Sequence, residues 1–116
     1  MTSILVDIKH ALGINPPDTS FDTELGIHIN SVLLSLRQIG IGEPEGLDVK
    51  DDSVTWEDLT SDIALLSAVK SYILLKVKIV FDPPTNSFVL DALNREIQEY
   101  AWRLNLEAEN LSLGLE

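Results

Sequence analysis

The sequence contains no cysteine. This absence excludes disulfide bonds, thiolate metal ligands and a cysteine nucleophile, and it makes a reducing cytosol the expected compartment. Basic residues are also few: eight Lys and Arg stand against 19 Asp and Glu, which gives a formal net charge of -11. A protein that reads nucleic-acid sequence needs cations to replace phosphate counterions, so the charge argues against that class.

We also expect no targeting signal, and the sequence contains no long apolar run free of charged residues. No basic leader precedes the apolar residues near Met1, as a signal or transit peptide would require. Lys70, Lys76 and Lys78 interrupt the apolar residues 65–81. At about 100° per residue, Lys76 and Lys78 point to nearly opposite sides of a helix, so they cannot both face water in a membrane bundle. We therefore expect a buried central helix and no membrane span.

Residues that carry catalysis or bind cofactors are not arranged for either task. His10 and His28 fall in different predicted helices, with no cysteine to accompany them. The glycines of GIGEPEG, residues 40–46, lack the lysine and the preceding strand of a phosphate-binding loop. We predict that the protein is not an enzyme and has no catalytic residues, no cofactor and no metal site.

The length suits one domain with a single core, residues 1–116, and the pattern of caps and breakers predicts an all-α fold. Four helices are predicted. The first spans residues 2–13 with Thr2 or Ser3 as its cap, and the second spans residues 21–39 with Ser20 as its cap. The third spans residues 61–81 after a capping box at Thr55 and Asp58, and the fourth spans residues 88–109 with Ser87 as its cap. Gly40 stops the second helix, and Pro83 and Pro84 stop the third. Residues 76–81, KVKIVF, would alone also pass for a strand, but the long apolar pattern before them favours a helix.

The second and fourth helices each carry two apolar groups on opposite faces. The predicted core stripes are Leu25, Ile29, Val32, Leu36 and Ile39 in the second helix, and Val89, Leu93, Ile97, Tyr100 and Leu104 in the fourth. The opposite face of the second helix carries Ile27, Leu34 and, just past the helix end, Ile41. The opposite face of the fourth helix carries Phe88, Trp102 and Leu106. Apolar residues scattered over the surface of a monomer are normal, but a second stripe with a large aromatic side chain indicates a partner surface.

The last residues, from about 107 to 116, are predicted to be a flexible tail that is either disordered or docks on a partner as an extended segment. The candidate contacts to another subunit or a partner are therefore Ile27, Leu34, Phe88, Trp102 and Leu106, with Leu111 and Leu113 in the tail.

A loop rich in acid, glycine and proline separates the second and third helices. Between Glu43 and Asp62 the chain has eight carboxylates and a single lysine, Lys50. Such a segment repels DNA, so it suits a surface that DNA passes without binding. The candidate acidic residues of this loop are Glu43, Glu45, Asp48, Asp51 and Asp52.

Four segments in this order, DIKHALGI, DTSFDTELGIHINSVLLSLRQIGIG, TWEDL and VKSYILLKVKIVFDPPTNSFVLDALNREIQEYAWRLN, resemble the head-tail connector proteins, also called head-completion or adaptor proteins, of siphophages and prophages of Gram-positive bacteria. The resemblance covers nearly the whole chain, and its most specific part is the lysine-bearing helix followed by FDPPTNSFVL and EIQEYAWRLN.

The resemblance implies a small helical protein that forms a ring beneath the portal, extends the DNA channel and offers a platform to the stopper and tail. It implies that the portal protein, the stopper or other head-tail joining proteins and further copies of this chain are the partners. It also implies that the candidate acidic loop, Glu43, Glu45, Asp48, Asp51 and Asp52, lies at the channel or its rim, where packaged DNA would pass without specific binding. The protein would be assembled in the bacterial host cytoplasm and reside at the head-tail interface of the virion.

Two other functions fit the residues. An acidic inhibitor that mimics DNA would spread its carboxylates along one face, whereas here they concentrate in one loop. A small helical enzyme or regulatory dimer would form a closed two-fold dimer with no affinity for a portal.

Overall fold

A computed structural model describes residues 2–42, 46–60 and 62–112 of the chain. Five helices occur in this part: α1 (Ile4–Ala11), α2 (Asp22–Gln38), α3 (Trp56–Leu59), α4 (Ile63–Phe81) and α5 (Ser87–Ser112). No strand occurs in the described residues, where the β pairing is one isolated bridge between Ser3 and Thr55. The predicted small all-α bundle is confirmed, and the single turn α3 is added to its four longer helices.

Helix α1 begins as its cap predicts and is tied to the segment before α3. The Ser3 hydroxyl accepts a hydrogen bond from the Val6 N–H (3.3 Å), which satisfies one of the free donors at the helix start. The Ile4 N–H donates to the Val54 carbonyl (3.0 Å). The helix ends before Gly13, whose φ of 78° belongs to the left-handed region that favours glycine.

Helix α2 differs from the prediction at its start, and its end is confirmed, because Gly40 stops it as predicted. The Ser20 N–H donates to the Asp18 carboxylate (2.9 Å) in the preceding turn, and the cap position is Phe21, which makes no side-chain cap bond. At the other end Gly40 has a φ of 96°, and the Ile41 N–H donates back to the Leu36 carbonyl (2.9 Å).

This reversal overturns the prediction that Ile41 lies on the outer face of α2. Its side chain is only 1% exposed, because Gly40 turns the chain back over the helix end and Ile41 no longer follows the helical wheel. Four of the five predicted core residues of α2 are buried, namely Leu25, Ile29, Val32 and Leu36, and Ile39 is half-buried.

A buried ion pair joins α1 to α2. Lys9 is 2% exposed, and its ammonium lies 2.8 Å from a carboxylate oxygen of Asp22 and donates to the Pro16 carbonyl at 2.8 Å. Both partners are needed, because a buried charge without a partner is costly. Together, the ion pair and the hydrogen bond to Pro16 hold the turn that connects the end of α1 to the first turn of α2.

Helix α3 is a single turn with the predicted capping box. The Thr55 N–H donates to the Asp58 carboxylate (2.9 Å), and the two apolar residues of the turn, Trp56 and Leu59, are buried. The next helix then begins with a new cap, because the Asp62 carboxylate accepts from the Leu65 N–H (3.2 Å).

Helix α4 is the central element, since it packs against α2 and against α5. Its stripe of buried side chains is Leu65, Val69, Ile73 and Val77. The helix continues through Phe81, so KVKIVF is helical, and it ends at Asp82 before the two prolines. In the described part of the chain no helix is long and apolar enough to cross a membrane.

Helix α5 begins and ends differently from the prediction. The Asn86 side chain, not Ser87, caps it by accepting from the N–H groups of Phe88 (2.8 Å) and Val89 (3.3 Å). The helix runs on through Ser112, so residues 107–112 are helical where a flexible or extended tail was predicted. Ala108 is buried in this extension, which explains why the helix continues.

The predicted core stripe of α5 is only partly buried. Leu104 is fully buried where α5 meets both α4 and α2, and it lines a small cavity there with Leu36 and Tyr72. Toward the start of the helix burial declines: Leu93 is half-buried, and Val89, the first residue of the stripe, is exposed. The N-terminal half of α5 therefore exposes more apolar side-chain surface than its helical wheel predicts.

Candidate interaction surfaces

The outer face of α2 exposes apolar side chains where the sequence predicted them. Ile27 is 64% exposed, and Leu34, seven residues further on, is exposed as well. Two hollows lie beside this face. One borders Leu34 and the other borders Ile27, and both hollows are lined by Asn30 and Asp48. We call this region, comprising Ile27, Leu34, Asn30 and Asp48, the α2 surface.

The acidic loop is fixed to the α2 surface by Asn30. The Asn30 amide donates to the Asp48 carboxylate (2.8 Å) and to the Val49 carbonyl (3.2 Å), and its oxygen accepts from the Val49 N–H (2.7 Å). Val49 is buried, and its carbonyl would lie only 3.1 Å from a Cβ at Gly26, so this helix position leaves room for the loop to approach. The carboxylate of Asp48 therefore has a defined place between the two hollows.

The other acidic candidates are distributed more openly. Asp51 and Asp52 are exposed. Asp51 accepts hydrogen bonds from the side chain and backbone of Ser53, and these hold the pKa of Asp51 below its ordinary value. Glu43 and Glu45 lie outside the described residues. No group of three or more His, Asp or Glu side chains in the described residues is placed to hold a metal ion.

The outer face of α5 presents aromatic side chains. Phe88 is 83% exposed and Trp102 is 65% exposed. Leu106, one turn after Trp102, is exposed at the edge of this face, where it also lines a hollow with Leu65 of α4. Arg95 lies midway between the two aromatic residues, at seven-residue spacing from each, so the three share one side of the helix. We call Phe88, Arg95, Trp102 and Leu106 the α5 surface. The Leu111 side chain and Leu113 lie outside the described residues.

Arg95 was not singled out from the sequence, although its heptad spacing from Phe88 and Trp102 is visible there. It is exposed, and within the described residues it forms no ion pair. Its helix neighbour Arg103, in contrast, pairs with Glu99. In a chain with 19 acids, an exposed arginine flanked by two aromatic side chains is typical of an interaction surface, because Trp, Tyr and Arg dominate interface energetics.

A further apolar group lies around the turn between α4 and α5. Phe21, at the start of α2, packs edge-on against Phe81 with ring centroids 5.4 Å apart. Val80 and Val89 on either side of the turn are exposed. The exposure of Val89 overturns its predicted place in the core, because a helical wheel does not show where a helix extends beyond its neighbours.

The titratable group with the most partners has a structural role. The Asp7 carboxylate accepts from the Trp56 indole N–H (2.7 Å) and lies 3.6 Å from the Lys70 ammonium, which itself lies 5.0 Å from the centre of the Trp56 ring. Burial raises the pKa of Asp7, but hydrogen bonds from Thr2 and Trp56 and the charge of Lys70 outweigh it and bring the pKa below its ordinary value. The cluster joins α1, α3 and α4.

The comparisons with known proteins yield a family. The family model described as phage connector protein matches residues 4–111. No curated protein and no solved structure matches the chain significantly. The match covers α1 to α4 and all but the last residue of α5, and it includes both surfaces described above. The chain belongs to the phage connector protein family, and its role is that of a structural protein at the junction of phage head and tail.

Proposed function

We propose that this protein is a head-tail connector, or adaptor, that forms a ring under the portal. The ring extends the DNA channel and offers a platform to the stopper and the tail. The observation that carries this proposal is the family match over residues 4–111, taken together with the two apolar surfaces on α2 and α5. As the resemblance implies, its source is a siphophage or prophage of Gram-positive bacteria.

The position of the two surfaces favours a ring. Helix α4 packs against both α2 and α5, so the outer faces of α2 and α5 point away from α4 in different directions. A subunit with two different contact surfaces associates head to tail, and such an association closes into a ring when the rotation between subunits is right. A two-fold dimer would need only one self-complementary surface.

The charge of the chain suits a channel that DNA crosses. With a net charge of -11 the ring would not hold the DNA backbone by counterion release. Asp51 and Asp52 are exposed on the acidic loop, and we assign them, with Glu43 and Glu45, to the rim or bore of the channel. The portal, the stopper and further copies of this chain are the proposed partners, and no catalytic step belongs to this role.

Assembly of phage particles tests the proposal. Deletion of the gene should yield heads that have packaged DNA but carry no tail, and expression of the protein in trans should restore infectious particles. Electron microscopy of purified restored particles should show the protein as a ring between portal and tail. Complete, infectious particles in the absence of the protein would overturn the proposal.

Sedimentation velocity provides a second measurement. We expect the free protein to be a monomer or a weak oligomer, because each exposed apolar surface is small and a template is needed to assemble the ring. Addition of the portal protein should produce a complex of much higher mass. A tight dimer that the portal leaves unchanged would favour a regulatory dimer instead.

A further inference from the structure

We infer that neighbouring copies of this chain associate by inserting the α5 surface of one copy into the hollows of the α2 surface of the next, with Arg95 of one copy paired to Asp48 of the other. This inference rests on the proposed ring. It specifies the two surfaces that meet, the residue pair that sets their register, and the copy that contributes each member of the pair. The occupant of the α2 surface is a second copy of this chain.

The two surfaces are complementary in shape. The α2 surface is concave, since a hollow lies beside each of Ile27 and Leu34 and the Asn30–Asp48 hydrogen bond divides them. The α5 surface is a helix face from which Phe88 and Trp102 project into solvent. A helix that lays large side chains into a groove is a recurring mode of protein recognition.

The charges are complementary as well. Asp48 is 60% exposed, and Asn30 holds one of its carboxylate oxygens at 2.8 Å, so its orientation is set before a partner arrives. Its other oxygen lies 3.5 Å from the ammonium of Lys50, which is 80% exposed. A pair so open to water contributes little, so an arginine from another molecule can join or replace the lysine at small cost. Arg95 has no carboxylate partner within the described residues of its own chain.

The spacing fits one contact. Ile27 and Leu34 are seven residues apart on α2, which corresponds to about 10.5 Å along a helix axis. Arg95 and Trp102 are also seven residues apart on α5. We assign the Arg95 guanidinium to Asp48, which lines both hollows, and the Trp102 indole, about 10.5 Å further along α5, to the outer end of one of them.

Charge complementarity favours a second copy as the occupant. Two molecules that each carry a charge of -11 repel one another, so a contact between them must bring opposite charges together locally. Each copy offers Arg95, the exposed arginine of α5 that has no ion pair within the described residues, and the oriented carboxylate of Asp48 beside α2, so every copy in a closed ring gives and receives the same contact. A ring formed in this way has no unmatched surface.

Charge reversal tests the pair. Arg95→Glu should reduce ring formation on the portal protein about tenfold or more, measured by sedimentation velocity, because it places two carboxylates against each other. Adding Asp48→Lys in the same chain should restore assembly, since every contact in the ring is then reversed. Asp52→Lys is the matched control: it makes the same charge change in the same loop away from Asn30, and it should not restore assembly of Arg95→Glu. Unchanged assembly of Arg95→Glu, or equal restoration by both lysine variants, would overturn the inference.

Cross-linking gives a readout that does not depend on altering the pair. The chain has no cysteine, so Lys50→Cys, beside Asp48, and Gln98→Cys, one turn from Arg95, introduce the only thiols. On the portal protein as template, a short bis-maleimide should convert the double variant into a ladder of covalent multimers up to the closed ring. Each single variant should stay uncross-linked, and an equal mixture of the two should stop at dimers. A double variant that also stops at dimers would indicate a two-fold contact and overturn the inference.

The same cross-linking in assembled particles separates the two proposals. Particles that carry the protein at the junction but yield no ladder would overturn the inference while the connector role stands. Complete particles that form without the protein would overturn the connector role, and with it the basis of the inference. A ladder from particles supports both.

Discussion

The helices before the Pro83–Pro84 turn and the helix after it bury their apolar stripes to different degrees. In α4, Val69, Ile73 and Val77 are all fully buried. In α5, which has a stripe of the same kind, Leu104 is fully buried and Leu93 is only half-buried. A stripe in a sequence indicates that a helix face will be covered, but it does not tell whether the cover comes from the same chain or from another.

The largest expected effect tests this difference directly. Ile73→Ala should lower the free energy of unfolding by about 2–5 kcal/mol, because it leaves a cavity at the centre of the core. Leu93→Ala removes the same number of methylene-sized groups from a half-exposed site, so we expect about half that loss or less in the isolated subunit. Urea denaturation of both variants at one temperature measures the two losses.

The comparison fails if the two variants lose equal stability. Equal losses would mean that Leu93 is as well covered in solution as Ile73, and that α5 is part of the closed core along its whole length. A loss at Leu93 that is much smaller than the loss at Ile73 would sharpen the comparison, since it would show that the N-terminal half of α5 is poorly covered within its own chain.

The fold could be predicted where the determining contacts are local. The capping box of Thr55 and Asp58 and the stop before Pro83 depend on residues three positions apart or fewer, and both are confirmed. Ile41 was misplaced because a single positive φ at Gly40 ended the periodicity on which the wheel depends. Asn86 replaced Ser87 because two adjacent residues can each cap and the sequence does not choose between them.

The candidate surfaces were predictable in part. The exposure of Ile27, Phe88 and Trp102 followed from their position opposite the core stripe. The Asn30 clamp on the acidic loop could not be predicted, because it joins residues 18 and 19 positions apart through a loop with no periodic pattern. Lys9 could not be predicted either, since its burial depends on the position of Asp22 after the chain has turned.

A smaller loss of stability is expected from a substitution in the cluster of Asp7, Trp56 and Lys70, which joins α1, α3 and α4. Asp7→Asn should lower the free energy of unfolding by about 1–2 kcal/mol at pH 7, because it removes a charged acceptor from the Trp56 indole and the partner of Lys70. The exposed residue Asp52 offers a matched control, and Asp52→Asn should change stability little.

The dependence on pH distinguishes charge from shape at Asp7. The pKa of Asp7 in the folded protein lies below its ordinary value of 3.8, so the unfolded chain binds a proton more readily. Its stabilising contribution is therefore fully present above about pH 4–5 and is lost as the pH falls through the folded-state pKa. The difference between wild type and Asp7→Asn should shrink in acid; a difference that stays constant from pH 7 to pH 3 would show that the charge contributes nothing.

The smallest effect on stability and a large effect on assembly are expected together at Trp102. The indole is 65% exposed and lies opposite the side of α5 that packs on α4, so Trp102→Ala should change the free energy of unfolding by no more than about 0.5 kcal/mol. In an interface, an aromatic anchor of this kind is worth about 2 kcal/mol or more, and the effect is repeated at every contact of a ring.

Glu96→Ala, on an exposed flank of the same helix, is the control for Trp102→Ala and should leave both stability and assembly nearly unchanged. Thermal denaturation and sedimentation with the portal protein measure the two properties on the same samples. If Trp102→Ala melted well below wild type but assembled normally, Trp102 would belong to the core. The stripe of α5 would then be covered within its own chain, as the stripe of α4 is.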